Sequence, residues 1–242
     1  MLLAIDAGNS FVKLGWHDGR AWRSVERIPL AQFDTFAAAW QGPLPERVVI
    51  ADVAGDRFRQ PMERLMATWS RPVLWVRARE RECGVTNRYR QPEQLGVDRW
   101  CALVAAHLLT PGPKLVVSVG TAVTVDALTG AGVFEGGLIL PGVELMKRAL
   151  AAHTAGLGEL PGSFTAFPQD TGSAMHTGAL LAIAGAVERM AALVAGREGR
   201  VEILLTGGGA EALEPLLTGP VRRAPNLVLD GLLRIAQERG FA

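Results

Sequence analysis

Apolar and polar positions alternate in short blocks from the first residues onward. Leu2-Leu3-Ala4-Ile5 is an apolar run closed by Asp6-Ala7-Gly8-Asn9-Ser10, after which Phe11-Val12-Lys13-Leu14-Gly15-Trp16 resumes. This pattern predicts strand, tight turn, strand. A third strand is predicted over 22–28, a helix over 30–40, a strand over 47–51, a helix over 57–69 and a strand over 73–76. From 78 to 94 the chain turns polar, charged and arginine-rich, with Pro92, and reads as a long loop. Residues 96–109 form the next predicted helix, with Asp98 in its first turn and Pro111-Gly112-Pro113 as its stop.

That Pro-Gly-Pro marks the expected boundary between a domain 1–113 and a domain 114–242, because the opening theme returns after it. Residues 115–119 are a β-branched run, Gly120-Thr121-Ala122 a tight turn, 123–128 a second strand and 133–140 a third. A helix over 143–151 follows, then a loop to Asp170 and a long helix to about 195. Next come a strand over 201–206, a Gly207-Gly208-Gly209 loop, a helix over 210–217, a strand over 227–229 and a closing helix. The repetition is of architecture, without a short-period repeat.

Composition narrows the class. With 242 residues, 49% hydrophobic and 20% charged, the chain is long enough for one large or two small globular domains. Lys+Arg 25 against Asp+Glu 24 leaves +1, so there is no basic excess for a nucleic-acid backbone. Cys83 and Cys101 form no Cys-x-x-Cys and no disulfide framework, which fits a reducing cytoplasm. The start of the chain lacks a basic n-region and is expected to be no signal peptide. The uncharged run 171–187 falls short of a membrane span and is expected to be a buried helix. The four histidines have no metal-ligand spacing, so no zinc site is expected. The 28 glycines are well above an average share, and part of the excess, including Gly8, Gly96, Gly120 and Gly207 to Gly209, sits where backbone is expected to approach a ligand.

Asp6-x-Gly8-Asn9-Ser10 places a carboxylate, a permissive glycine and two hydrogen-bonding side chains at one hairpin. Such a turn offers N–H groups to an anion while the carboxylate holds a hydrated Mg²⁺, the needs of phosphoryl transfer. An Asp-Gly hairpin without a ligand has the same local sequence. The Gly120-Thr121-Ala122 turn adds a second hydroxyl-bearing hairpin. Asp98 and Arg99 open a helix whose dipole favours the ionised carboxylate, suiting Asp98 to accept a proton and Arg99 to fork onto a substrate carboxylate. A surface salt bridge is the plain alternative. Thr206-Gly207-Gly208-Gly209-Ala210-Glu211-Ala212 reads as a third anion-friendly turn and also matches G-x-G-x-x-A, with Asp230 beyond it. Only 12 residues follow Asp230, so a dinucleotide-binding domain beginning here would lack its second half. Ala174, Gly178, Ala182 and Ala186 recur every four positions along one helix face, equally suited to core packing and to a subunit interface.

Taken together, Asp6-x-Gly8-Asn9-Ser10, Asn87-Arg88-Tyr89, Leu95-Gly96-Val97-Asp98-Arg99-Trp100, Gly120-Thr121-Ala122-x-Thr124-x-Asp126, Gly137-x-Ile139-x-Pro141-Gly142 and Thr206-Gly207-Gly208 resemble the type III pantothenate kinases, also called the Bvg accessory factor family, in order over nearly the whole chain. The resemblance implies an α/β fold of two ribonuclease-H-like domains of the acetate and sugar kinase, Hsp70 and actin superfamily, with mixed sheets flanked by helices and ATP between the domains. It implies transfer of the ATP γ-phosphate to pantothenate, the first step of coenzyme A synthesis, in a cytoplasmic homodimer without nucleic-acid or membrane partners. By position, Asp6, Ala7, Gly8, Asn9, Ser10, Phe11, Val12, Lys13 and Thr121 would bind ATP, with Asp6 on the Mg²⁺ side. Tyr89, Gly96, Val97, Asp98 and Arg99 would bind pantothenate, with Asp98 as proton acceptor, and Thr171 would reach it across the dimer interface. Where many members bind K⁺ or NH₄⁺ through an Asp three residues before the hairpin Thr, this chain has Ser118, a neutral and poorer cation ligand. A regulatory accessory protein and a sugar kinase of the same superfamily are the rival readings. Asp6, Asp98 and Arg99 speak against the first, and the segment 89–99 against the second.

Overall fold

The computed structural model describes residues 1–154, 156–158 and 160–242. Residues 1–110 together with 226–242 form one packing unit, and residues 111–225 another.

The first unit opens with β1 (Leu2–Ala7), β2 (Phe11–His17) and β3 (Trp22–Pro29), followed by α1 (Phe33–Ala38), β4 (Arg47–Asp52), α2 (Asp56–Trp69) and β5 (Val73–Trp75). A short hairpin, β6 (Arg81–Glu82) and β7 (Val85–Asn87), precedes α3 (Val97–Leu109). The sheet runs β3-β2-β1-β4-β5, antiparallel from β1 outward to β3 and parallel from β1 to β5. The two-residue side-chain period sorts its faces. Leu3, Ile5, Ala7, Val12, Leu14, Val48 and Ile50 form a core with Phe33, Phe58 and Met62 of α1 and α2. Asp6 and Lys13 belong to the opposite face.

The second unit repeats the plan. It contains β8 (Lys114–Val119), β9 (Ala122–Leu128), β10 (Val133–Pro141), α4 (Val143–His153), α5 (Thr171–Glu198), β11 (Glu202–Thr206), α6 (Ala210–Leu213) and β12 (Val221–Arg223). Its strands run β10-β9-β8-β11-β12 with the same pairing senses as the first sheet. The final helix, α7 (Leu227–Glu238), belongs to the first unit.

Four features differ from the sequence expectations. The residues expected as a strand over 227–229 are the first turn of α7, and the fifth strand of the unit is the short, largely exposed Val221–Arg223 instead. An apolar triplet does not separate strand from helix; the buried positions Leu227, Leu229, Gly231, Leu232, Ile235 and Ala236 do. The expected domain 114–242 accordingly differs from the packing unit 111–225. A side chain at Gly231 would lie 1.9 Å from the Cys101 carbonyl, so α7 rests directly on α3. The expected loop 78–94 contains the β6–β7 hairpin. The expected buried helix over 171–187 is buried on one face only: Met175, Ala179, Leu180, Ile183, Ala184 and Val187 are covered, while Ala174, Gly178, Leu181 and Ala182 are exposed. By length and composition α5 is apolar enough to cross a membrane, with mean hydropathy 1.7 over its most apolar window.

Candidate active site

Antiparallel register places Asp6 of β1 directly opposite Lys13 of β2, on the face away from α1 and α2. The Gly8 N–H closes the intervening turn onto the Phe11 carbonyl at 3.0 Å, leaving Asn9, Ser10 and Phe11 exposed. Arg27 stacks over the Phe11 ring at 3.5 Å. Burial pushes the Asp6 carboxyl up to about 7, the negative charge of Asp98 pushes it the same way, and Lys13 opposes both. Burial lowers the Lys13 ammonium from its usual range, against the attraction of Asp6; Arg27 adds to the lowering, and Asp230 opposes it.

Asp230, considered from sequence only as part of a dinucleotide motif, belongs to this charge cluster. It lies in the first turn of α7 and accepts a 2.8 Å hydrogen bond from the Trp22 indole. A side chain at Gly15 would come within 2.8 Å of the Trp22 ring and 2.9 Å of Leu229, so glycine there lets β3 and α7 close over the face that carries Lys13.

The substrate side begins at α3. A side chain at Gly96 would stand 2.7 Å from Asp98 Oδ1, so the carboxylate folds back over the space that glycine leaves open. Asp98 Oδ1 also accepts the Arg99 N–H at 2.8 Å. The expectation of a carboxylate held ionised at a helix start captures half of the balance. Burial raises the Asp98 carboxyl above its ordinary range, while the Arg99 N–H and guanidinium pull it down. Arg99, 6% exposed, donates to the Tyr89 hydroxyl at 3.2 Å. Val97 is buried beside it. Asn87 shapes the intervening loop by donating to the Pro92 carbonyl and accepting the Tyr89 N–H, each at 3.0 Å. The structure therefore sets Asp6 opposite Lys13 and within reach of the Asp98 charge, and it pairs Tyr89 with Arg99.

In the second unit, Thr121 is exposed on its turn, and its carbonyl accepts the Gly142 N–H at 2.8 Å. A Cβ at Gly142 would meet the Gly120 carbonyl at 2.2 Å. Ser118 pairs across the strands with Thr124. Thr171 is exposed at the start of α5, which Asp170 caps by accepting the Ser173 N–H at 2.8 Å. Gly207 has φ +91° and would carry a Cβ 2.3 Å from the Val119 carbonyl, so protein backbone explains this glycine, and α6 is only four residues long.

Comparison with known proteins agrees with this geometry. A family model described as type III pantothenate kinase matches residues 2–193. The chain is 45% identical to the type III pantothenate kinase of Nitrosospira multiformis, covering 98% of this chain and 92% of that one. It is 42% identical to that of Aromatoleum aromaticum over the full length of both. Among solved structures, a Baf family protein from Campylobacter jejuni matches 99% of the chain with TM-score 0.64 at 20% identity. MreB5 of Spiroplasma citri, solved with ADP, matches 99% with TM-score 0.50 at 12% identity. These likenesses establish the α/β fold, with mixed sheets flanked by helices. The chain belongs to the type III pantothenate kinases, ATP-dependent enzymes of coenzyme A synthesis.

Proposed function

We propose that this chain transfers the γ-phosphate of ATP to the primary hydroxyl of pantothenate, with Asp98 as the proton acceptor. The observation that carries this reading is the pairing of two electrostatically coupled carboxylates in the first unit: Asp6, on a turn beside Lys13, and Asp98, at a helix start beside Arg99 and Tyr89. Residues 6–13 cradle phosphate through turn N–H groups and the Lys13 ammonium. Thr121 contacts ATP from the second unit's turn. Tyr89 and residues 96–99 bind pantothenate, with Arg99 forked onto its carboxylate. Asp98 orients the hydroxyl and takes its proton as the phosphoryl group leaves ATP. Phosphoryl transfer through a loose transition state needs orientation more than a strong base, and the upward pull of burial improves Asp98 as an acceptor.

The donor set fits a hydrated Mg²⁺. Among the described residues no three His, Cys, Asp or Glu form a metal cage, whereas Asp6 is a carboxylate whose charge burial and Asp98 disfavour and a cation would favour. When bound, Mg²⁺ neutralises charge on the β- and γ-phosphates. Ser118 supports no strong monovalent-cation site. The exposed stripe of Ala174, Gly178 and Ala182 with Leu181, on a helix too apolar for a solvent face, supports a homodimer through α5 in which Thr171 reaches the partner's pantothenate. A dimer of this kind covers the face without a membrane, in keeping with a cytoplasmic reaction.

Purified protein with MgATP should release ADP only when pantothenate is added, and mass and ³¹P analysis should show a phosphate monoester on the primary hydroxyl. The absence of pantothenate-dependent turnover would overturn the proposal.

A further inference from the structure

Outside the residues already assigned, the first unit holds a buried ionic cluster that ends on the substrate segment. Glu82, on β6, is 8% exposed. Its carboxylate accepts the Trp100 indole N–H at 3.2 Å and the Arg239 Nε–H at 2.6 Å, and a second Arg239 nitrogen lies 2.6 Å away. The neighbouring Cys83 N–H donates to Glu238 at 3.0 Å, so two consecutive hairpin residues are tied to two consecutive residues at the end of α7. Trp100 is fully buried and follows Arg99 directly. Arg99 holds the Tyr89 hydroxyl, Tyr89 is held by Asn87, and Asn87 ends the strand paired with β6. The contacts close a ring from Glu82 through Trp100, Arg99, Tyr89 and Asn87 back to the hairpin, and the Glu82 charge sits inside it.

We propose that Arg239, beyond the segment the family model matches, is a positioning residue for the pantothenate-binding segment, acting through Glu82 and Trp100. A buried carboxylate is tolerated only while paired and hydrogen-bonded; with its counter-charge removed, it takes on a proton or draws in water, and either change loosens its grip on the Trp100 indole. Loosening Trp100 releases Arg99 and Tyr89, which face the acceptor. The phosphate turn at residues 6–13 contributes no residue to the ring. The inference rests on the proposed role of residues 89–99.

In Arg239→Ala the KM for pantothenate should rise about tenfold or more, the scale of breaking a buried pair, with the KM for ATP changed less than about twofold. Arg239→Lys should recover part of the loss, since it restores the charge without the fork. Glu82→Gln/Arg239→Gln, which keeps an acceptor for Trp100 but no buried charge, should recover more than Arg239→Ala and serves if the alanine variant does not fold. Hydrogen exchange of intact Arg239→Ala should increase over residues 85–101 and not over 2–17. An unchanged pantothenate KM, equal increases in both KM values, or unchanged exchange over 85–101 would overturn the inference. Exchange is read without substrate, so a wild type lacking pantothenate turnover would overturn the substrate reading while the predicted coupling still passed or failed on its own.

Discussion

The hairpins that open the two units share strand order, pairing sense and a glycine-containing turn, yet differ in the residues paired next to that turn. In the first unit the pair is Asp6 opposite Lys13; at the corresponding place in the second it is Ser118 opposite Thr124. The flanking positions are interchangeable in kind: Ala7 opposite Val12 in one and Val119 opposite Val123 in the other, all buried. Alternating apolar residues thus specify the same ladder twice, and one cross-strand pair decides which ladder carries charge beside its turn. In the first unit that charge is set against Asp98 and Asp230 on the helices covering the face, at the cost of an acid held in an unfavourable state.

Replacing the charge should break the difference between the hairpins. Asp6→Asn is expected to lower kcat/KM by about 10²–10³-fold, the usual scale for losing one electrostatic group at a reacting phosphate. The same substitution should stabilise the ligand-free fold. Between the ordinary 3.8 and about 7 the folded state binds a proton that the unfolded state has released, so stability falls as pH rises through that window and stays low above it. The penalty at pH 8 is on the order of 2–4 kcal/mol. Melting curves should therefore place Asp6→Asn above wild type at pH 8 and level with it at pH 4; a variant less stable than wild type at pH 8 would contradict the assigned strain.

The second unit's part is tested through its exposed helix face. Leu181→Arg should shift the solution mass toward the 25.8 kDa monomer and raise the KM for pantothenate as Thr171 is withdrawn. Light scattering of wild type as a monomer at assay concentration would remove the role given to Thr171. The smallest effect concerns Ser118: exchanging K⁺ for Na⁺ should change wild-type turnover less than about twofold, since a hydroxyl is a weak cation ligand, whereas Ser118→Asp should gain a preference for K⁺.

Both hairpins and the Asp98 helix were legible in the sequence because their signals are local: a glycine turn between apolar runs, and Gly96 two positions before the carboxylate that folds over it. What escaped depends on contacts distant in the chain. Glu82 reads as one more charge in an arginine-rich loop until Arg239, 157 positions away, is seen to hold it. Asp230 reads as the end of a nucleotide motif until the packing of α7 on α3 brings it beside Lys13 and Trp22. At the Gly207 turn the structure adds a reason for glycine that the local pattern does not carry, the close approach of the Val119 backbone. The stripe on α5 was visible as a period of four, but only the structure shows that its own chain leaves it exposed.

The claim that the first unit's carboxylate pair performs the chemistry is tested most directly by pantothenate-dependent ADP release from wild type and Asp98→Asn, with melting temperatures measured on the same samples. Loss of proton acceptance should lower kcat/KM for pantothenate by about 10²–10⁴-fold in a variant that remains folded. Undiminished turnover in folded Asp98→Asn would contradict it.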